Sequence, residues 1–108
     1  MVQVSKLPQR QRLVLAELSG VAGRYGNGVD RDAPREVAIA SVRRVTSDPQ
    51  LLGIQAGVAL ADPQGISGPT VELLRAAGAD MAVAEAHAAE VRARLESQGI
   101  RYDHAFEV

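Results

Sequence analysis

The chain has 108 residues, which suits one domain and leaves no room for a second independent core. It contains no cysteine, which excludes disulfides, thiolate metal sites and cysteine nucleophiles. Its formal net charge of −1 provides no general attraction to nucleic acid or anionic lipid. The sequence contains neither a secretory signal pattern nor an apolar run of the ~20 residues that span a membrane. We therefore expect a cytoplasmic protein without membrane contact.

The apolar side chains are mostly Ala, Val and Leu, and the aromatic residues are only Tyr25, Tyr102 and Phe106. Ala and Leu favour helices, whereas β-sandwiches and barrels usually contain more aromatic and Thr side chains. We predict an all-α fold, a compact bundle of about five helices in a single domain, 1–108. Residues 1–6 and 100–108 are predicted to be extended termini.

Apolar residues at helical spacing predict a first helix from Leu7 to Val21. The glycine-rich segment 20–28 then predicts the end of this helix and a mobile loop. Asp30 or Asp32 is expected to cap a second helix that runs to about residue 45.

The clearest boundary in the sequence is Ser47-Asp48-Pro49-Gln50, a capping box of the S-x-x-Q form with Ser47 as the cap. The helix that it predicts is apolar nearly all round through Leu60, and several of its residues are Gly or Ala. A helix that is apolar on every side is usually central, and small residues let its neighbours approach closely. We predict that this third helix is the hub of the fold.

A turn at 62–65 is followed by a short fourth helix, capped by Ser67 or Gly68 and ended by Gly78. Asp80 is expected to cap a fifth helix, in which Glu90 and Arg94 have the spacing of an ion pair. Five apolar residues of this helix recur at heptad-like spacing and form a narrow seam: Met81, Ala84, Ala88, Val91 and Leu95.

The last nine residues alternate apolar and polar side chains, and Tyr102 and Phe106 are on the same side of this alternation. Val2 and Val4 alternate in the same way near the other end. A minor β pairing of the two termini is therefore possible, within one chain or between two chains.

The segment Ala61-Asp62-Pro63-Gln64-Gly65-Ile66-Ser67-Gly68-Pro69-Thr70-Val71 resembles the A-x3-G-[IV]-S-x2-T-V core of helix-turn-helix DNA-binding proteins. The resemblance implies a DNA-binding regulator centred on residues 57–78, with Gly68, Thr70 and Arg75 facing the DNA groove. The sequence departs from the pattern at Pro63, which falls inside the first helix of the motif. The other interpretation is a capped turn between two core helices.

Candidate catalytic residues are few, since the chain has only two histidines. His87 lies one helical turn from Glu90, and we expect the two to pair at the surface. His104 and Asp103 are neighbours in the alternating tail, so their side chains point to opposite faces. These patterns predict no enzyme, no metal site and no cofactor.

We expect a small non-catalytic protein-interaction domain that forms a homo-oligomer, a dimer, or binds another protein. Nucleic acid is a partner only under the helix-turn-helix alternative. The expected interaction residues belong to the seam and the tail: Met81, Val91, Leu95, Tyr102 and Phe106.

Overall fold

Five α-helices make up the computed structural model, which describes residues 6–99. They are α1 (Gln9–Gly26), α2 (Arg35–Val45), α3 (Pro49–Leu60), α4 (Gly68–Ala76) and α5 (Met81–Ser97). No β-strand occurs among these residues, which confirms the predicted all-α bundle. The predicted pairing of the termini, at 1–6 and 100–108, lies outside the described residues apart from residue 6. None of the described helices has the length and apolar character needed to cross a bilayer.

The third predicted helix is indeed the centre of the bundle. Residues 51–57 of α3 are all buried, and the helix packs against α1, α4 and α5. Its N-cap is Asp48 and not Ser47, because the Asp48 carboxylate accepts a hydrogen bond from the Gln50 backbone N–H at 2.9 Å. Pro49 then occupies the first helical position, where the missing N–H has no cost.

Two glycines allow α3 and α5 to touch backbone to backbone. A Cβ atom at Gly53 would lie 2.6 Å from the Asp80 carbonyl oxygen, and one at Gly57 would lie 2.7 Å from the Ala84 carbonyl oxygen. The close approach buries Ala84 in the main core. The N-terminal half of the seam on α5 therefore packs inside the chain and is not available to a partner.

The main core joins all five helices. Its buried members are Leu18, Ala22, Ala38, Val42, Leu52, Ala56, Leu73, Leu74, Ala77 and Ala84. A smaller cluster of Leu15, Leu51 and Ile54 packs between α1 and α3.

The first helix is longer than predicted, since it passes through Gly20 and Gly23 and ends at Gly26. The predicted end at Val21 was wrong, because residues 20–26 of the predicted loop belong to the helix and only residues 27 and 28 lie beyond it. A Cβ atom at Gly26 would lie 2.7 Å from the Cα atom of Thr70, so this glycine permits α1 to contact α4. Packing of the last turn thus outweighs the low helix propensity of glycine.

At the ends of the other helices, some of the predicted residues are confirmed and others are wrong. Pro34 precedes α2 without a side-chain cap, and Asp30 forms an ion pair with Arg24 instead. Asp80 caps α5 as predicted, since its carboxylate accepts hydrogen bonds from the backbone N–H groups of residues 82 and 83. Gly78 has a φ of +108°, which confirms it as the residue that ends α4.

Candidate functional site

A groove of about 360 Å³ lies between α1, α3, α4 and α5. Ser19 and Gly23 of α1 form one side, and Val91 and Leu95 of α5 contribute to the lining. Gln55 of α3 lies in the buried part of the groove, and the turn from 61 to 67 forms part of the rim. The volume falls in the range of small-ligand and side-chain binding sites.

Gln55 is the one strongly polar residue between positions 51 and 60. Its side chain is only 8% exposed, yet it lines the groove and makes no hydrogen bond to another residue of 6–99. A primary amide has two N–H donors and one carbonyl acceptor. The amide atoms of Gln55 remain accessible to solvent from the groove. The groove therefore presents an amide with free hydrogen-bonding capacity to whatever occupies it.

One wall beside Gln55 is apolar. Val58 is 44% exposed although it belongs to the central helix, and Val91 and Leu95 are half-buried. Val91 and Leu95 are two of the predicted interaction residues, and the structure brings them together in this groove. Met81 packs against the main core instead. Tyr102 and Phe106 lie outside the described residues.

The rim of the groove is fixed by hydrogen bonds in the turn between α3 and α4. The Asp62 carboxylate accepts hydrogen bonds from the backbone N–H groups of residues 64 and 66, at 3.0 and 3.1 Å, and from the Ser67 hydroxyl at 2.9 Å. The Asn27 side-chain amide donates to the Ile66 carbonyl oxygen at 3.2 Å and joins the turn to the end of α1. These bonds give the groove a defined shape before anything binds.

The structure places the residues of the helix-turn-helix resemblance partly in the core and partly at the surface. Thr70 is only 7% exposed and packs against Gly26, so it does not face outward as that interpretation requires. Pro63 lies in the turn and not in a helix. Gly68 and Arg75 are exposed, but Arg75 lies 3.5 Å from the Glu72 carboxylate, which offsets its charge. The capped-turn interpretation fits this arrangement.

His87 is buried, contrary to the predicted surface position, because α5 lies so close to Gly57. Its Nδ1 atom is 3.9 Å from a Glu90 carboxylate oxygen, and Nδ1 has no hydrogen-bond partner among residues 6–99. Burial lowers the pKa of His87, although the nearby Glu90 carboxylate acts in the opposite direction. The predicted pair of Glu90 with Arg94 is replaced by this contact.

Helix α2 provides a second surface that sequence reasoning missed. Its outward face carries Glu36, Ile39, Ala40, Arg43 and Arg44 around a shallow depression. All of these side chains except Ile39, which is half-buried, are exposed.

No protein-family model, curated protein or solved structure matches this chain.

Proposed function

We propose that the chain is a non-catalytic protein-interaction domain that binds an extended peptide segment in the groove of α1, α3, α4 and α5. The observation that supports this proposal best is the amide of the largely buried residue Gln55, which lines the groove without a partner among residues 6–99. A peptide unit has one N–H and one carbonyl, and a glutamine amide offers the matching acceptor and donor. An extended segment leaves these backbone groups free for such a pair.

The apolar wall indicates which side chains the peptide carries. Side chains of an extended segment alternate between two faces. With the peptide backbone at Gln55, every second side chain contacts the wall of Val58, Val91 and Leu95. The expected ligand is thus a segment with large apolar residues at alternate positions. Residues 100–108 of the chain itself have this pattern through Tyr102 and Phe106, so self-association through the tail is one form of the proposal.

The test is selection of nonapeptides from a displayed random library on the full chain, followed by affinity measurements with synthetic peptides. Val58→Arg places a charged side chain in the groove. Val37→Arg is the matched control, since Val37 is 45% exposed against 44% for Val58 and lies on α2 outside the groove. Gln55→Met keeps the approximate size of the side chain and removes the amide.

We expect the selected peptides to show alternating apolar residues and to bind the wild-type chain and Val37→Arg equally. Gln55→Met should weaken binding by about tenfold or more, because a buried peptide group then lacks its partner. Val58→Arg should abolish it. Recovery of no binding peptide, or of peptides that bind Val58→Arg as well as they bind the wild type, would refute the proposal.

A further inference from the structure

Helix α2 packs against α1 and α4 and leaves a long face directed outward. Glu36 lies at the start of this face and Arg43 lies near its end, seven residues later. Seven residues are about two helical turns, so both side chains point in nearly the same direction. Ile39 and Ala40 lie midway between them. Along the helix axis, the face therefore carries an acidic residue first, then two apolar residues and then a basic residue.

We propose that this face binds the same face of a second copy of the chain, antiparallel about a two-fold axis that passes between Ile39 and Ala40. Such an axis relates position 36 of one copy to position 43 of the other. Glu36 then lies opposite Arg43 of the second copy, and the reciprocal pair forms at the other end. Interfaces of this kind need a surface that is complementary to itself, and the order of charges on α2 meets that requirement.

The charges on this face are available for a partner. Neither Glu36 nor Arg43 forms an ion pair with another residue of 6–99. Val37, which is 45% exposed on the flank of the same face, adds apolar surface next to Ala40. Arg44 lies on this flank as well, away from the line that joins Glu36 and Arg43.

The size of the face sets the strength of the dimer. The 11 residues of α2 form a helix that is ~16 Å long at 1.5 Å per residue. Two helices of this length bury less than the ~1,200 Å² typical of stable complexes. We therefore expect a weak and reversible dimer, with a dissociation constant on the order of 10–100 μM. The association should weaken at high salt because the ion pairs lie at the rim of the contact.

Sedimentation velocity of the full chain over a range of concentrations tests this proposal. The substitutions Glu36→Arg and Arg43→Glu are at exposed positions. Each of them places like charges opposite one another at both ends of the contact. Each variant alone should dimerise at least tenfold more weakly than the wild type. The double variant should dimerise as the wild type does, because it restores opposite charges across the axis. An equimolar mixture of the two single variants should form heterodimers for the same reason.

Glu85→Arg is the control, since it reverses a charge at an exposed position of α5 outside both the groove and the α2 face and should leave the dimer unchanged. A wild-type chain that stays monomeric at about ten times the expected dissociation constant would overturn the proposal. A dimer that is insensitive to the single charge reversals, or that the double reversal fails to restore, would overturn it as well. Because peptide binding in the groove is measured separately, failure of the dimer leaves the proposed function untouched, and the reverse is also true.

Discussion

The contact between α3 and α5 predicts that two glycine-to-alanine substitutions have opposite effects on stability. In Gly57→Ala the new Cβ atom would lie 2.7 Å from the Ala84 carbonyl oxygen, 2.9 Å from the His87 Cβ atom and 3.2 Å from the Ala88 backbone nitrogen. The nearest of these atoms belongs to the backbone, so a rotamer change cannot relieve the overlap. In Gly20→Ala the new Cβ atom has no neighbour within 4 Å.

Two free-energy terms determine the net change in stability. Alanine is favoured over glycine by about 1 kcal/mol in the interior of a helix. Insertion of one carbon atom into a well-packed contact costs about 1–3 kcal/mol, and rigid backbone on both sides favours the upper end of this range. Gly57→Ala should therefore lower the free energy of unfolding by about 2 kcal/mol, whereas Gly20→Ala should raise it by about 1 kcal/mol.

Urea unfolding followed by circular dichroism at 222 nm measures both changes, and the chain needs no added probe because the described part is helical. Gly53→Ala should behave as Gly57→Ala does, since its Cβ atom would lie 2.6 Å from the Asp80 carbonyl oxygen. A stabilising Gly57→Ala would show that α3 and α5 do not touch at this point. The burial of His87 and the interior position of the seam would then lose their explanation.

Two further predictions concern His87 and the rim of the groove. Burial lowers the pKa of His87 below its ordinary value of 6.5, so the unfolded chain binds a proton more readily than the folded chain. The stability contributed by neutral His87 is present above pH ~6.5 and is lost as the pH falls toward the lowered pKa. The urea midpoint should fall between pH ~7.5 and ~5, and this fall should be smaller in His87→Gln than in the control variant His104→Gln. Equal falls in the two variants would contradict the burial of His87. Asp62→Ala removes three hydrogen bonds from the turn at the rim and should cost about 1–2 kcal/mol in urea unfolding, with weaker peptide binding. Wild-type stability in Asp62→Ala would show that the turn is held by other contacts.

Local chemistry made much of the fold predictable from sequence. The Asp48-Pro49 pair and Asp80 mark helix starts because a side-chain carboxylate next to free backbone N–H groups needs no distant partner. Gly78 marks a helix end because glycine, which has no Cβ atom, adopts a positive φ readily without help from distant contacts. The central position of α3 followed from a segment with no polar face, which only the interior of the bundle accepts.

Features that depend on distant contacts could not be predicted in the same way. Three glycines near the end of α1 resembled a loop, but Gly26 is needed for the approach of Thr70, which lies 44 positions later in the sequence. His87 was expected at the surface because it lies one helical turn from Glu90, whereas the proximity of α5 to Gly57 buries it. The groove is assembled from four helices, so no local pattern describes it. One signal was nevertheless present, namely a single glutamine in the otherwise apolar run from residue 51 to residue 60.

The packing of α5 also changes where association with a partner has to occur. The seam on α5 suggested a coiled-coil contact between chains, but Gly53 and Gly57 of α3 occupy the position that a partner helix would take. Two apolar surfaces remain on α5, namely its C-terminal half, where Val91 and Leu95 face the groove, and a depression around Ala82, Val83 and Ala86. We therefore expect the proposed peptide to contact α5 at Val91 and Leu95. The proposed contact between copies uses the outward face of α2 and is therefore independent of both surfaces on α5.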